Sequence, residues 1–179
     1  MLKYIIIIPL SLFIAFVVGI MVDNALKRRS YKAKCHAIMD HLLGLDFPLY
    51  AKCNIFANDE GLIFVNGKEE QRIPKEQLLR IEYYTEHDIK SRAPKELVKI
   101  GSIDGMVRNV PRGNDRKDLY VLVINYQKKP GDDVQVIGMV GDNPMHMLDE
   151  FTKGTNQLYG LVTLVEEKKI GLELPPEDE

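Results

Sequence analysis

Residues 50–85 read YAKCNIFANDEGLIFVNGKEEQRIPKEQLLRIEYYT, and the punctuation of this stretch decides the fold. Tyr50 to Ala57 alternates, with Ala51, Cys53 and Ile55 on one side, as a half-buried strand does. Asn58-Asp59-Glu60-Gly61 is a turn, and Leu62 to Val65 is a second strand. Asn66-Gly67 follows, the strongest short-range hairpin signal in the chain, because both residues accept the positive φ of a type I′ turn. Lys68 to Ile73 returns as a third strand with solvated charges, and Pro74 breaks it. Leu78 to Thr85 makes a fourth, with Leu79, Ile81 and Tyr83 on one face and Leu78, Arg80, Glu82 and Tyr84 on the other.

The same texture resumes downstream. Leu119 to Tyr126 (LYVLVINY) is almost wholly β-favouring, Pro130-Gly131-Asp132-Asp133 turns it round, and Val134 to Val140 pairs back as a hairpin. Asp142 or Asn143 then caps a helix with Pro144 in its first turn. Leu148, Phe151, Thr155, Leu158, Tyr159 and Val162 form its apolar stripe, and Gly160 is a candidate terminator. Gly154 inside that helix costs about 1 kcal/mol relative to alanine. Residues 161–165 fit either a prolonged helix or a short strand. The expected class is α+β, mainly β: a small barrel or curved antiparallel sheet closed by one amphipathic C-terminal helix. The acidic tail, 166–179, with Pro175-Pro176, lacks the apolar residues to order itself.

Ahead of the sheet, Tyr31, Cys35, Ile38, Met39, Leu42 and Leu45 recur at spacings that place them on one face of a helix over 26–45, ended by Gly44 and Pro48. This gives a juxtamembrane helix over 26–48, either packed on its own domain or continuous with the segment before it, or else forming a dimerisation seam. The β domain then spans 49–165.

Tyr4 to Val22 (YIIIIPLSLFIAFVVGIMV) carries no charge. A helix of that length reaches roughly 28 Å, about the thickness of a bilayer's hydrocarbon core. A cleaved signal peptide would have a shorter apolar run and a small-x-small cleavage site. A half-exposed helix of a water-soluble domain would not be apolar on nearly every face. A transmembrane anchor over 1–25 is the preferred reading; Pro9 and Gly19 are both tolerated in membrane helices. Lys3 precedes the span, whereas Lys27, Arg28, Arg29, Lys32 and Lys34 follow it. That asymmetry keeps the C-terminal side in the cytoplasm, as a single-pass protein of the cell membrane, and sets the basic cluster beside anionic headgroups.

Charge is segregated further along. The thirty residues 88–117 carry Lys90, Arg92, Lys95, Lys99, Arg108, Arg112, Arg116 and Lys117 against Asp88, Glu96, Asp104 and Asp115. After residue 29 the chain as a whole has 20 basic and 25 acidic side chains, so the rest of it is strongly acidic. The insertion is either a solvated loop or a basic surface for the inner leaflet or an acidic partner. Arg108, Arg112, Arg116 and Lys117 are the candidate contacts there, and Lys27, Arg28 and Arg29 beside the anchor. The balance is not that of a nucleic-acid binder. Two cysteines, Cys35 and Cys53, and no Asn-x-Ser/Thr sequon fit a cytoplasmic domain.

The run Asp59-Glu60-Gly61-Leu62-Ile63-Phe64-Val65, then Arg72-Ile73-Pro74, then Leu78-Leu79-Arg80-Ile81 resembles the bacterial pleckstrin-homology-like domains. In those, a "T-x-x-Gly-Leu" strand precedes an "Ile-Pro" step and a strand reading "Ile-x-x-Ile". The resemblance covers about residues 49–161. It implies a scaffold that binds lipids, peptides or partner proteins, with no catalytic role. Members that grip phosphoinositides do so with a basic first hairpin; here that hairpin is the acidic Asn58-Asp59-Glu60-Gly61, so the 88–117 insertion becomes the candidate for anionic lipid.

No Gly-rich phosphate loop, His-Glu-x-x-His, Gly-x-Ser-x-Gly or paired Cys-x-x-Cys occurs. Cys35, His36, His41 and Cys53 lack metal-ligand spacing. The expectation is a membrane-tethered, non-enzymatic module with no cofactor, metal or small-molecule substrate. Its partners would be the lipid bilayer and a membrane or membrane-proximal protein. The alternative is a small structural subunit of a larger membrane complex.

Overall fold

The computed structural model describes residues 13, 16, 18, 19, 22, 23, 25–85, 119–141 and 145–161. Seven antiparallel strands form one sheet: β1 (Cys35–Leu43), β2 (Lys52–Asn58), β3 (Gly61–Asn66), β4 (Glu69–Pro74), β5 (Leu78–Thr85), β6 (Tyr120–Tyr126) and β7 (Gln135–Gly141). Their order is β4-β3-β2-β1-β7-β6-β5, so the first strand joins the last and the edges are β4 and β5. A single 3-10 turn, Lys75–Gln77, links the two edges. One helix, Met145–Tyr159, follows the sheet and packs on β1 and β5. The fold is mainly β with a C-terminal helix, as the strand and turn signals predict.

The main core lies between one sheet face and that helix. Met39, Cys53, Ile55, Leu62, Phe64, Ile81, Leu122, Ile124, Ile137 and Met139 meet Leu148 and Phe151 there. A smaller cluster on the other face joins Leu42, Leu119, Val121, Val123 and Val140, with Leu43, Tyr50, Tyr84 and Val136 packed on it. β6 is apolar on both faces for this reason, which is why its sequence shows an unbroken β-favouring run. In the helix, Leu148, Phe151 and Thr155 are buried and Leu158 and Tyr159 half-buried, which matches the predicted stripe. Asn156 Nδ2 donates to the Ile81 carbonyl at 3.0 Å and pins the helix to β5. Gly160, at φ +65°, ends the helix, and the Leu161 N–H closes back on the Asn156 carbonyl at 2.9 Å.

Gly154 has a packing reason. A Cβ there would lie 2.8 Å from Cys35 Sγ. Gly154→Ala should therefore fail to stabilise the protein despite the helix-propensity gain of about 1 kcal/mol. In a Cys35→Ala background the same change should recover that gain. Denaturant unfolding of the four variants measures the coupling, and equal effects in both backgrounds would exclude the contact as the cause.

Three expectations are corrected. The helix expected over 26–45, and the juxtamembrane element over 26–48, is helical only at 25–30; Cys35–Leu43 is strand β1, so the sheet begins well before residue 49. β1 buries Ala37, Met39 and His41 by alternation, and a bulge between His41 and Leu43 turns Leu42 into the second cluster. On β5, a register shift between Leu78 and Arg80 places Leu78 in the core and leaves Leu79 exposed, the reverse of the predicted faces. The β3–β4 hairpin pairs Asn66 with Glu69, so its central residues are Gly67 and Lys68. Only Gly67 has positive φ, 62°, which is the pattern of a II′ turn and not I′.

Among the described residues no helix is long and apolar enough to cross a membrane. Most of the stretch 4–22 lies outside them, as do Asp142, Asn143, Pro144 and Val162. The 88–117 insertion, residues 162–165 and the 166–179 tail also lie outside them.

Candidate functional site

Of the residues singled out by sequence, Lys27, Arg28 and Arg29 lie on the described helical segment 25–30, and all three are exposed. Lys27 pairs with Asp23 one turn earlier, at 2.6 Å. Arg108, Arg112, Arg116 and Lys117 fall outside the described residues. The site that can be built is therefore the joint where the helical segment meets the sheet.

The joint starts with a helix C-terminus closed by its own backbone. The Lys32 N–H donates to the Arg29 carbonyl at 3.1 Å, and the Ala33 N–H to the Arg28 carbonyl at 2.8 Å. That pair of bonds is the Schellman arrangement, and it requires a left-handed residue at the position usually held by glycine. Here that residue is Lys32, with φ +51°.

The chain passes straight from this cap into β1. The Lys34 N–H donates to the Ala57 carbonyl at 2.8 Å, one step before the Cys35–Ala57 pair that opens the β1–β2 ladder. Asn58, at the end of β2, ties both neighbours. Its Nδ2 donates to the Tyr31 carbonyl at 3.0 Å, while its Oδ1 accepts from the Glu60 and Gly61 amides at 2.9 and 3.2 Å. Lys34 Nζ reaches Asp59 at 2.5 Å. The Asn58–Gly61 turn, read from sequence simply as a turn, is thus also the socket for the helix end.

Aromatic stacking covers the joint. The Phe56 ring, almost wholly buried, stacks on Tyr31 and on His36, with centroids 4.7 Å away in each case. Tyr31 Oη donates to Glu70 on β4 at 3.0 Å. Burial and the Glu70 carboxylate both push the Tyr31 phenol up from its ordinary value. His36 Nε2–H donates to Asn54 Oδ1 at 3.1 Å.

Burial lowers the His36 pKa; the Asn54 bond opposes this, and Arg28 nearby adds to it. The unfolded chain then takes up the proton before the folded one does. His36 contributes its full stabilisation above the ordinary imidazole value of about 6.5, and that contribution is lost as pH falls below it. Unfolding midpoints measured from pH 8 down to pH 5 should drop across the lower half of this range, and His36→Gln should flatten that drop. An unchanged slope in the variant would remove His36 as its source.

The remaining singled-out groups sit apart from the joint or serve packing. Cys53 is buried, donates to the Ala51 carbonyl at 3.4 Å, and has its thiol pushed up to about 11 by burial, so it stays protonated and unreactive at neutral pH. His41 is buried with both ring nitrogens engaged. Nδ1 donates to the Pro48 carbonyl at 3.2 Å and Nε2 accepts from the Leu45 amide at 3.3 Å, which holds the 44–50 loop. Among the described residues, no three His, Cys, Asp or Glu side chains are placed to share an ion.

The other notable feature is apolar. Phe13, Phe16, Val18, Val22 and Leu26, all on helical residues ahead of the joint, are each 50 to 65 % exposed. Sequence reasoning found the apolar run and the basic cluster after it. It missed the joint, whose parts (Tyr31, Lys32, Phe56, Asn58) lie in two segments that only β1–β2 pairing brings together. No known protein family and no curated protein matches the chain.

Proposed function

We propose that this protein is a membrane-tethered, non-enzymatic interaction module whose β domain stands on the cytoplasmic side of the cell membrane. One observation carries the reading: five large apolar side chains stand uncovered on helical residues that lead into a basic cluster, while the sheet behind them has a complete core of its own. Apolar surface left in water forfeits roughly 25 cal/mol per Å², so an uncovered helix of this kind calls for lipid or another helix around it. Tethering raises the domain's effective concentration near other membrane components.

The domain itself is read as pleckstrin-homology-like. An antiparallel sheet whose first strand meets its last, followed by one helix across its face, is consistent with that fold. Its partner would be a membrane or membrane-proximal protein, an anionic lipid surface, or both. Lys27, Arg28 and Arg29 beside the span and Arg108, Arg112, Arg116 and Lys117 in the insertion are the proposed contacts.

Protease accessibility in intact and lysed cells tests the placement. The domain should be shielded until lysis, and the full chain should resist alkaline extraction from membranes. Digestion in intact cells would reverse the topology, and release by alkali would remove the anchor. Charge reversal of Arg108, Arg112, Arg116 and Lys117 together should weaken association of the domain's surface with anionic vesicles at low salt. Co-migration of the detergent-extracted chain with a defined set of membrane proteins would instead favour a structural subunit.

A further inference from the structure

We propose that the joint between the apolar helical segment and the sheet is a rigid elbow that holds Lys32, with Arg28 and Arg29, against the anionic headgroups of the bilayer. The inference rests on the membrane-tethering reading and adds an orientation to it.

A tethered domain usually swivels on a flexible linker. Here the whole passage from helix to sheet is residues 31–34, and every one of them is tied down. Tyr31 gives its carbonyl to Asn58 and its ring to Phe56. Lys32 and Ala33 bond back to the helix, and Lys34 bonds forward to Ala57. Nothing in that passage is left to act as a hinge. The β2–β3 turn is thereby fixed beside the helix end. The β3–β4 turn, Gly67–Lys68, lies at the opposite end of the six-residue strand β3, roughly 17 Å along that strand.

Lys32 supplies the second observation. It occupies a left-handed backbone position that a Cβ disfavours and that glycine would fill without strain. Its side chain is exposed, and among the described residues it enters no ion pair. Among the described residues the fold draws no ion pair from a lysine at this strained position, which points to a role for its ammonium outside the fold. Arg28 and Arg29 are exposed beside it. Lys27 and Lys34 are already occupied by Asp23 and Asp59. This cationic collar continues directly from the apolar helical residues, and charge complementarity at that depth selects the headgroups of anionic lipid.

The test uses the full chain in lipid nanodiscs, with Cys35 and Cys53 replaced by alanine. A fluorophore is placed at Glu60→Cys in one sample and at Lys68→Cys in another. Quenching by a headgroup-attached quencher should be several-fold stronger at position 60 than at 68. A flexible Gly-Ser insertion between Lys32 and Ala33 should equalise the two. Energy transfer from position 60 to labelled phosphatidylserine should exceed that to labelled phosphatidylcholine at equal mole fraction, and Lys32→Gly should abolish the excess while raising the thermal midpoint. Equal quenching at both positions in a chain that is incorporated in the disc would overturn the elbow. A phosphatidylserine excess that survives Lys32→Gly would overturn the role of Lys32. A chain that never enters the disc would instead defeat the tethering reading on which both depend.

Discussion

Gly61→Ala is expected to remove about 3 kcal/mol or more of stability, a large fraction of the 5–15 kcal/mol typical of a folded domain. Gly61 opens β3 at φ +147°, and an added Cβ would lie 2.1 Å from the Ile73 carbonyl oxygen. Two effects therefore add. The backbone angle is one that a side chain rarely adopts, and the obstruction is main chain that cannot rotate away. Its relief would require β4 to move at the Gly61–Pro74 pair, which would also disturb the bond from the Lys75 amide to the Glu60 carbonyl. Gly67→Ala is the control. Gly67 also has positive φ, but an added Cβ there meets nothing within 4 Å. Its loss should be clearly smaller, because only the backbone penalty of a side chain at positive φ remains and no main-chain clash adds to it. Urea unfolding of both variants checks the contrast, and similar losses would mean that backbone angle alone sets the requirement for glycine.

Phe56→Ala should cost about 3–5 kcal/mol through the cavity left by a fully buried ring. It should also do something a generic core truncation would not. Phe56 is the surface on which Tyr31 and His36 both stack, so its removal takes away the aromatic support of the helix–sheet joint. Amide hydrogen exchange should quicken first at Ala33 and Lys34, whose N–H groups bond to Arg28 and Ala57. Phe64→Ala serves as comparison, since Phe64 is equally buried but in the main core beneath the C-terminal helix. It should destabilise by a similar amount without singling out those two amides. Uniform acceleration in the Phe56 variant would mean that the stack does not govern the joint.

Most of the sheet was legible because its signals are local. Asn58–Gly61, Asn66-Gly67, Pro74 and Pro130–Asp133 separate runs that alternate or are wholly β-favouring, and each becomes a strand end or a turn. β1 was illegible for a specific reason. Its apolar residues, Cys35, Ile38, Met39 and Leu42, satisfy a helical period and not a strand's alternation. The bulge after His41 shifts the alternation midway, so that the strand template does not fit along the whole segment. What selects the strand is the presence of β2 on one side and β7 on the other, and no window of sequence contains both. The Leu78/Leu79 exchange has the same origin, a register shift imposed by β6. Lys27, Arg28 and Arg29 lie exposed on the helical residues 25–30, and sequence alone names them only as a basic run. The value of Lys32, by contrast, lies in a backbone angle that its side-chain chemistry does not announce.

The pairing of the first strand with the last has a consequence for biosynthesis. Asp40 sits opposite Val140, and between them runs most of the polypeptide. Translation proceeds at about 5–20 residues per second, so β1 leaves the ribosome many seconds before its second neighbour exists. An apolar leader that engages the translocation machinery on emergence would be seated in the lipid while β1 still presents a bare edge. The order of events would then be insertion first and sheet closure afterwards, with the nascent strand shielded in the interval by a chaperone or by β2 alone.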